Sequence, residues 1–257
     1  MKHQSNILAL KYRPLNFQDL IGQEYLVETI QKSIQQNKIP NAYIFTGIRG
    51  VGKTTTARIV AKMLNCTVFD KNNNPDLINC EQAKAITEDR HPDVIEIDAA
   101  SNTSVENARE IIENVKYNPV LGKYKVYIVD EVHMLSKSAF NALLKTLEEP
   151  PPHSKFIFAT TEISKVPITI LSRCQRFDLR RVEKKTLSDF LKSIAKKEDI
   201  TISIEALNLI VKASDGSVRD SLSILDQANV FKSQKEIQVE EIVNMLGFAR
   251  QGDVYEL

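Results

Sequence analysis

Apolar runs and amphipathic helical patterns alternate along the first two thirds of the chain. The runs that predict strands are rich in β-branched and aromatic residues, and they cover residues 42–46, 94–98, 124–130, 155–160 and a shorter stretch at 176–179. Apolar residues at helical spacing predict helices between them, at residues 24–36, 55–65, 105–116 and 137–148. Because strands and helices alternate, the pattern predicts an α/β fold with a parallel sheet covered by helices on both faces.

The pattern changes near residue 181, where the predicted strands stop. Helical patterns follow at residues 186–197, 204–213, 217–231 and 239–248. Three predicted helix starts have the spacing of a capping box, namely Thr103 with Glu106, Thr186 with Asp189 and Ser217 with Asp220. The sequence therefore predicts a sheet domain at residues 1–180 and a small helical domain at residues 181–243.

The segment between the first predicted strand and the next helix has the spacing GxxxxGK[ST]. It reads Gly47-Ile48-Arg49-Gly50-Val51-Gly52-Lys53-Thr54. Glycines let the backbone bend so that successive N–H groups face an anion, and the following helix adds the positive end of its dipole. In such a loop Lys53 contacts the outer phosphates and the Thr54 hydroxyl contacts Mg²⁺. A chance match is the alternative, but the flanking strand and helix favour a site for ATP or GTP.

Two carboxylates end the strand predicted at residues 124–130. A buried parallel strand that stops abruptly in Asp130 and Glu131 is typical of a site at the carboxyl edge of a sheet. Asp130 would hold Mg²⁺, and Glu131 would orient and deprotonate the attacking water. A helix start or a solvated turn is the alternative for paired acids. Downstream of a phosphate loop, the pair favours hydrolysis of a terminal phosphoanhydride.

Composition agrees with a cytoplasmic globular protein. With 257 residues, 42% hydrophobic and 26% charged, the chain is long enough for one large or two modest domains. The net charge of +1 excludes a general positive surface, so contact with nucleic acid needs a local patch. No apolar run approaches the ~20 residues of a membrane span, and the N-terminus does not resemble a signal peptide. Three cysteines without close spacing suit free thiols in a reducing compartment.

Longer motifs along the chain narrow the class of nucleotide-binding protein. In order they are Tyr12-Arg13-Pro14, Gly22-Gln23-Glu24, Ile95-Glu96-Ile97-Asp98-Ala99-Ala100-Ser101-Asn102, Asp130-Glu131-Val132-His133-Met134-Leu135, Phe140-Asn141-Ala142-Leu143-Leu144-Lys145-Thr146-Leu147-Glu148-Glu149-Pro150-Pro151 and Leu171-Ser172-Arg173-Cys174. Together with the phosphate loop, this ordered set resembles the gamma/tau subunit family of bacterial DNA polymerase III, a branch of the AAA+ ATPases. The resemblance runs over about residues 9–247.

The resemblance implies a fold, an activity and a set of partners. The fold is that of an AAA+ P-loop NTPase, in which a parallel sheet flanked by helices precedes a small helical lid domain. The activity is ATP hydrolysis with Mg²⁺ in a clamp loader, which opens a ring-shaped sliding clamp and leaves it closed around primed DNA. The implied partners are the delta and delta-prime subunits, further gamma/tau copies, the sliding clamp and the backbone of primed DNA. The chain would join a DNA-directed DNA polymerase complex without carrying a polymerase active site.

Further catalytic residues take their predicted roles from the resemblance. Arg173 matches the arginine finger, which reaches the ATP of a neighbouring subunit; the alternative is a surface ion pair. Arg219 matches the second sensor, which touches the γ-phosphate in its own subunit; the alternative is a first-turn helix charge paired with Asp220. Thr161, or its neighbour Thr160, matches the polar first sensor, although a threonine at a strand end is also an ordinary turn residue.

The resemblance also extends the nucleotide site beyond the phosphate loop. Tyr12, Arg13 and Pro14 would flank the adenine and ribose, and Ile48 and Val51 would lie near the phosphates. The predicted nucleotide-binding residues are Tyr12, Arg13, Pro14, Gly47, Ile48, Arg49, Gly50, Val51, Gly52, Lys53, Thr54, Thr55 and Arg219.

One departure from the family concerns zinc. The family usually inserts a four-cysteine zinc module after the phosphate-loop helix, whereas this chain keeps only Cys66 and Cys80, with residues 72–76 where a close cysteine pair would lie. Structural zinc needs four nitrogen or sulfur ligands, and His91 would make only three. We therefore predict no zinc site.

Two further side chains near the predicted site receive structural interpretations. Cys174 is predicted to be a small buried residue beside the finger, since no arrangement of residues suggests covalent catalysis. His133 follows the acids and could tune them, but a packed core histidine is the favoured interpretation.

The end of the chain and the DNA contacts are further predictions from the resemblance. Residues 251–257 resemble the beginning of a collar domain, so we predict that residues 244–257 start a collar and that the chain is a fragment or an unusually short product. Without a collar the piece should bind ATP as a monomer. Candidate phosphate contacts, each equally readable as a helix cap or a solvated helix face, are Ser101, Asn102, Thr103, Arg109, Lys137 and Asn141.

Two rival classes remain open from the sequence. A DNA-translocating AAA+ motor of the branch-migration type shares the Arg-Pro start and the phosphate loop, but it adds a winged-helix domain that the sequence does not show. A non-catalytic structural loader subunit of the delta-prime type usually lacks a working phosphate loop, so the intact Lys53 and Glu131 argue against it.

Overall fold

Five parallel strands form the central sheet in a computed structural model that describes residues 7–70, 74–101, 104–231 and 235–247. In chain order the strands are β1 (Ala42–Thr46), β2 (Val94–Asp98), β3 (Lys125–Asp130), β4 (Ser154–Thr160) and β5 (Gln175–Asp178). Their order across the sheet is β2-β3-β4-β1-β5, and each neighbouring pair is parallel. The predicted α/β fold with a parallel sheet is confirmed.

Helices connect the strands and continue after them. In chain order they are α1 (Leu8–Lys11), α2 (Glu24–Gln35), α3 (Lys53–Asn65), α4 (Glu81–Thr87), α5 (Val105–Val115), α6 (Lys137–Glu148), α7 (Ile168–Leu171), α8 (Lys184–Lys197), α9 (Ile204–Ala213), α10 (Val218–Phe231) and α11 (Val239–Leu246). Two 3₁₀ turns lie at Val132–Met134 and Ile163–Lys165. No helix within the described ranges has the length and apolar character needed to cross a membrane.

The chain divides into two units. The sheet unit contains the described residues of Pro14–Ile48 and Gly52–Arg180. The helical unit contains the described residues up to Arg13, the three residues Arg49–Val51 of the phosphate loop, and the described residues from Arg181 onward. Each unit has its own buried apolar residues.

The core of the sheet unit explains why the central strands hold their ends in register. Every residue of β1 and β4 is buried, and the aromatic rings of Tyr127, Phe156 and Phe158 stack along one face with centroids 5.5 and 6.1 Å apart. Burial of each such side chain contributes ~1.5–3 kcal/mol relative to exposure. Since parallel strands end at the same edge, the residues that follow β1, β3 and β4 meet above a rigid platform.

The helical unit differs from the prediction in one respect. The prediction that strands stop after residue 181 is wrong, because β6 (Thr201–Ile202) and β7 (Glu236–Ile237) form a parallel pair. Two-residue strands are too short to show a period of two in the sequence. The leucine and isoleucine side chains that α8 to α11 and this pair bury in the core are Leu187, Leu191, Ile194, Leu207, Ile210, Leu222, Leu225, Ile237 and Ile242.

The three predicted capping boxes have different outcomes. The box at Thr186 is wrong, because α8 begins at Lys184 after Glu183 and Thr186 therefore lies inside the helix. At the start of α10, the Ser217 hydroxyl accepts the N–H of Asp220 at 3.2 Å, which is one of the two bonds of such a box. Thr103 lies outside the described residues, as do Asn102 and residues 251–257.

Candidate functional site

The phosphate loop joins the end of β1 to the start of α3, which begins at Lys53 rather than at the predicted residue 55. Gly52 is the residue before the helix and has φ of 101°, a left-handed conformation that favours glycine. Its replacement by a larger residue would also bring an added Cβ within 3.3 Å of Leu20. The glycine therefore allows the chain to turn sharply into a 13-residue helix whose N-terminus faces the loop.

Lys53 is buried at this turn. Its side-chain ammonium donates to the carbonyl oxygens of Gly47 and Ile48, each at 3.0 Å, so the loop wraps around the charge. Burial lowers the pKa of Lys53 below its ordinary value, while the carboxylates of Glu131 and Asp130 act in the opposite direction. A buried ammonium at the N-terminus of a helix is a donor set that fits an anion such as a phosphate group.

A hydrogen bond connects the phosphate loop to the end of β3. The Thr54 hydroxyl donates to Asp130 Oδ2 at 2.5 Å, and Thr55 follows in the first turn of α3. A hydroxyl and a carboxylate are oxygen ligands of the type that Mg²⁺ prefers. The ion usually keeps several water ligands in addition to such protein oxygens. The residues at this contact therefore fit a magnesium ion, and the metal-binding roles of Thr54 and Asp130 stay predictions.

Glu131 follows Asp130 in an unusual conformation. Its φ and ψ are 44° and 45°, the left-handed region that few residues other than glycine adopt, and its N–H donates to Asp130 Oδ1 at 2.9 Å. Its side-chain oxygen Oε2 accepts both the N–H and the hydroxyl of Thr161, at 3.1 and 2.9 Å. Of the two threonines that the sequence left open as the first sensor, Thr161 is thus the one bonded to the candidate base.

His133 completes a polar cluster that the sequence did not reveal. Its imidazole ring is 6% exposed, as a packed core histidine would be. Both ring nitrogens nevertheless face oxygen atoms: Nδ1 lies 3.0 Å from Thr160 Oγ1 and 3.4 Å from Glu131 Oε2, and Nε2 lies 3.6 Å from Glu162 Oε1. No local pattern in the sequence indicates this cluster, because Thr160 and Glu162 come close to His133 only through the alignment of β3 with β4.

Arg173 lies shortly after α7, on the surface of the sheet unit. Its guanidinium donates to the carbonyl oxygen of Thr169 at 2.5 Å and to the hydroxyl of Ser172 at 3.3 Å, and it forms an ion pair with Glu148 at the end of α6. The surface ion pair that the sequence offered as the alternative is thus present, and the role of Arg173 towards a neighbouring subunit stays a prediction.

Other predicted site residues lie in the helical unit. The backbone N–H of Arg219, at the start of α10, donates to the carbonyl oxygen of Gly50 at 3.2 Å. The Tyr12 hydroxyl donates to Glu198, and burial together with this contact raises the pKa of Tyr12 to about 12. Arg13 continues this segment, and Pro14 opens the sheet unit. Their predicted contacts with adenine and ribose stay predictions.

Cys66 and Cys80, the two cysteines considered above as zinc ligands, are buried free thiols in a small apolar cluster. Cys66 Sγ donates to the carbonyl oxygen of Val68 at 3.0 Å. His91, the predicted third candidate, has both nitrogens in use, since Nε2 lies 2.7 Å from Gln82 Oε1 and Nδ1 accepts the N–H of Asp93 at 3.1 Å. No group of three or more potential metal-ligating side chains occurs within the described ranges.

The remaining candidates are spread over the sheet unit. Cys174 is partly buried, and burial raises the pKa of its thiol to about 12, which disfavours the reactive thiolate. Of the candidate DNA contacts inside the described ranges, Ser101, Arg109, Lys137 and Asn141 are all exposed. Because these side chains are exposed, a DNA phosphate backbone could reach them, but exposure does not show that any of them binds DNA.

Two family models together match most of the chain. A model described as the DNA polymerase III delta subunit matches residues 22–183, and one described as the DNA polymerase III clamp loader subunit, ATPase lid domain, matches residues 186–233.

Relatives of known name are similar along most of this chain. The DNA polymerase III subunit tau/gamma of Haemophilus influenzae is 47% identical over 94% of this chain and 35% of its own length. The DNA polymerase III subunit gamma of Buchnera aphidicola subsp. Schizaphis graminum is 44% identical over 98% of this chain and 68% of its own length. The chain spans 35–37% of the length of the first three curated relatives it matches.

Solved structures of a different protein share the fold. The RuvB Holliday junction branch migration motor of Thermotoga maritima superposes with a TM-score of 0.66 over 92% of this chain and 72% of its own. Sequence identity is 17%, so this likeness establishes an AAA+ type of fold and nothing about the substrate.

Proposed function

The chain belongs to the gamma/tau subunit family of DNA polymerase III, and from that premise we propose that it binds and hydrolyses ATP as a motor subunit of a clamp loader. The observation that carries the proposal is the hydrogen bond between Thr54 of the phosphate loop and Asp130 at the end of β3. It brings together the two halves of one hydrolytic site, which are 76 residues apart in the chain.

Each half has a distinct task in this proposal. The loop from Gly47 to Thr54 binds the phosphates of ATP, and Lys53 balances the charge of the outer phosphates. Thr54 and Asp130 hold Mg²⁺, which supplies positive charge at the phosphate oxygens when bound. The buried position of Lys53 supports its task, because a charge excluded from water acts more strongly on a nearby anion.

Glu131 is the proposed general base. The water oxygen forms a bond to the γ-phosphorus, the bond from that phosphorus to the bridging oxygen breaks, and one proton of the water passes to the Glu131 carboxylate. ADP and inorganic phosphate are the products. The two hydrogen bonds from Thr161 support its role as first sensor, because they link the base to the end of β4.

The two arginines are proposed to act from different units. Arg219 would touch the γ-phosphate in its own chain as the second sensor, and Arg173 would stabilise the transition state in a neighbouring subunit. Fingers of this type are worth about 10³–10⁵ in rate. The partial exposure of Arg173, whose side chain is 30% exposed, supports contact with another molecule.

The proposed setting is the replicative clamp loader. Its other members would be delta, delta-prime and further gamma/tau copies, and its substrates would be the sliding clamp and primed DNA. Residues 1–180 are the proposed nucleotide-binding domain and residues 181–243 the proposed lid. Since the chain spans only part of its longer relatives, these partners remain proposals.

Two substitutions test the ATPase. Lys53→Ala should abolish ATP binding, whereas Glu131→Gln should leave binding intact and abolish hydrolysis, because only the proton acceptor is lost. Lys84→Ala is the matched control, since Lys84 is an exposed lysine paired with Glu81 on α4. Binding is measured by calorimetry and turnover by phosphate release. Equal binding and turnover in all four proteins would refute the proposal.

The loader assignment needs a separate experiment. The sliding clamp, partner loader subunits and primed DNA are added singly and together, and the ATPase rate is followed. Stimulation that requires all three components is expected of a clamp loader. A rate that stays constant, or that rises with any duplex DNA alone, would contradict the assignment and leave the ATPase proposal standing.

A further inference from the structure

The carboxylate of Glu131 is held on one side. All of its hydrogen bonds from Thr161 reach Oε2, and His133 Nδ1 also approaches this oxygen, at 3.4 Å. These two hydrogen bonds and the His133 contact all involve Oε2, and none of the three reaches Oε1. A carboxylate fixed through one oxygen presents the other in a defined direction, so Oε1 is the oxygen placed to accept a proton.

His133 links this carboxylate to the end of β4. Its Nδ1 lies 3.0 Å from Thr160 Oγ1, and the same hydroxyl oxygen accepts the N–H of Glu162 at 3.0 Å. Thr160 is fully buried, so it gives the ring a fixed anchor. On its other side the ring faces Glu162, whose carboxylate is paired with Lys165 at 2.8 Å. The imidazole is therefore fixed between two polar neighbours and cannot rotate without losing contacts.

We propose that His133 is a positioning residue for ATP hydrolysis, which holds the Glu131 carboxylate through Oε2 so that Oε1 faces the attacking water. This inference rests on the proposed function, because it requires Glu131 to be the general base. His133 itself takes no proton from water. It acts through Glu131, and its ring is anchored by Thr160.

The backbone at Glu131 explains why such support is needed. Its left-handed conformation, with φ of 44°, is sparsely populated by residues other than glycine and persists only where the surroundings hold it. The side chain is also 30% exposed, so packing alone does not fix its rotamer. A misplacement of about 1 Å at a reacting group can reduce a rate about 10²-fold.

Three substitutions of His133 separate positioning from packing. Asn places an amide nitrogen near the position of Nδ1, Gln places one near Nε2, and Leu fills the space with no polar atom. If the contacts of Nδ1 position Glu131, kcat should fall roughly ten- to hundredfold in His133→Leu. His133→Asn should retain most of the activity and His133→Gln should lose more, while KM for ATP and the affinity for ADP stay unchanged.

Controls distinguish this role from a structural one. His153 is the matched histidine, since its Nε2 bonds one backbone oxygen, that of Val115, at 3.0 Å in the same unit. His153→Leu should lower the melting temperature without lowering kcat at 25 °C. Thr160→Val removes the anchor of the ring and should reproduce the loss of kcat, which keeps the test decisive if His133→Leu does not fold.

The decisive readout is a double substitution in the 257-residue chain, assayed in single turnovers. Glu131→Gln should remove the base, and adding His133→Leu should then cause no further loss, because His133 acts only through Glu131. Wild-type kcat in His133→Leu and Thr160→Val, beside an inactive Glu131→Gln, would overturn the inference alone. Wild-type kcat in Glu131→Gln would overturn the proposed function and this inference together.

Discussion

Replacement of Gly50 by alanine should disable the phosphate loop by a steric overlap that the structure locates. Gly50 has φ of +78°, and an added Cβ would lie 2.0 Å from Ser217 Oγ and 3.2 Å from Arg219 Cβ. Ser217 is 1% exposed and its hydroxyl caps α10, so turning that hydroxyl away would break the cap. The loop must therefore change its conformation, or the start of α10 must shift.

The size of the effect follows from two contributions. The left-handed backbone costs about 1–2 kcal/mol for a residue with a Cβ. Overpacking against a buried atom costs a further ~1–3 kcal/mol. The sum is about 2–5 kcal/mol, and since ~1.4 kcal/mol is a factor of ten, the affinity for ATP should fall at least ~30-fold if binding restores the native loop.

The assay combines thermal unfolding with calorimetric titration of ATP. Gly247→Ala is the matched control, because Gly247 has φ of +66° and no atom within 4 Å of an added Cβ, so it isolates the backbone contribution. Ser217→Ala should partly rescue Gly50→Ala by removing the overlapping oxygen, despite losing a cap worth ~1 kcal/mol. Unchanged ATP affinity in Gly50→Ala, or no rescue by Ser217→Ala, would refute the reasoning.

Two further predictions concern the support of the site. The buried Asp93 carboxylate accepts the N–H groups of Val120, Leu121 and Gly122, each at 2.7 Å, which lowers the pKa of Asp93 in spite of its burial. Because the pKa of Asp93 is lower in the folded than in the unfolded chain, its carboxylate stabilises the fold. This contribution is complete above the pKa of the unfolded chain, ~3.9, and is lost as the pH falls through the pKa of the folded chain. Asp93→Asn should therefore lower the free energy of unfolding by ~3 kcal/mol at pH 7 and by less at pH 3, as measured by urea unfolding. Substitution of the exposed Asp89 by Asn is the control. A loss of stability that does not depend on pH would contradict this argument. Arg58 of α3 forms two hydrogen bonds with Glu96 of β2, at 2.5 and 2.9 Å. Arg58→Met should lower the free energy of unfolding by about 2 kcal/mol, because the partly buried Glu96 carboxylate loses its partner. Arg90→Met breaks an exposed pair with Glu88 and should cost at most ~1 kcal/mol in the same urea experiment, so equal costs would contradict the argument.

The sequence predicted those parts of the site that depend on local spacing. The phosphate loop and the acids after β3 are contiguous motifs, and their chemistry follows from the order of residue types along a short stretch. The central strands were equally legible, because burial on both faces requires continuous apolar runs. The strand bounds at residues 42–46 and 94–98 agree with the structure to the residue.

The parts that the sequence did not predict depend on register and backbone conformation. Thr161 meets Glu131 because Val129 of β3 is paired with Phe158 of β4, and no local pattern encodes that alignment. The left-handed backbone of Glu131 has no sequence signal either, since glutamate is not a residue that favours it. The polar surroundings of His133 were not predicted because they also depend on the alignment of β3 with β4. Only the burial of its ring was predicted.

The ion pair of Arg173 is compatible with its proposed role in a neighbouring subunit. The Arg173 and Glu148 side chains are 30% and 50% exposed, and pairs with such exposure contribute about 0–1 kcal/mol because water competes for both charges. A guanidinium interacts far more strongly with a triphosphate in a site that excludes water, as the rate effect of arginine fingers indicates. The pair with Glu148 is therefore too weak to prevent transfer of Arg173 to a neighbour's nucleotide. Under the proposed function, the pair would hold the guanidinium at the surface until a neighbouring subunit binds, and the two interpretations of Arg173 would then apply to two states of one side chain.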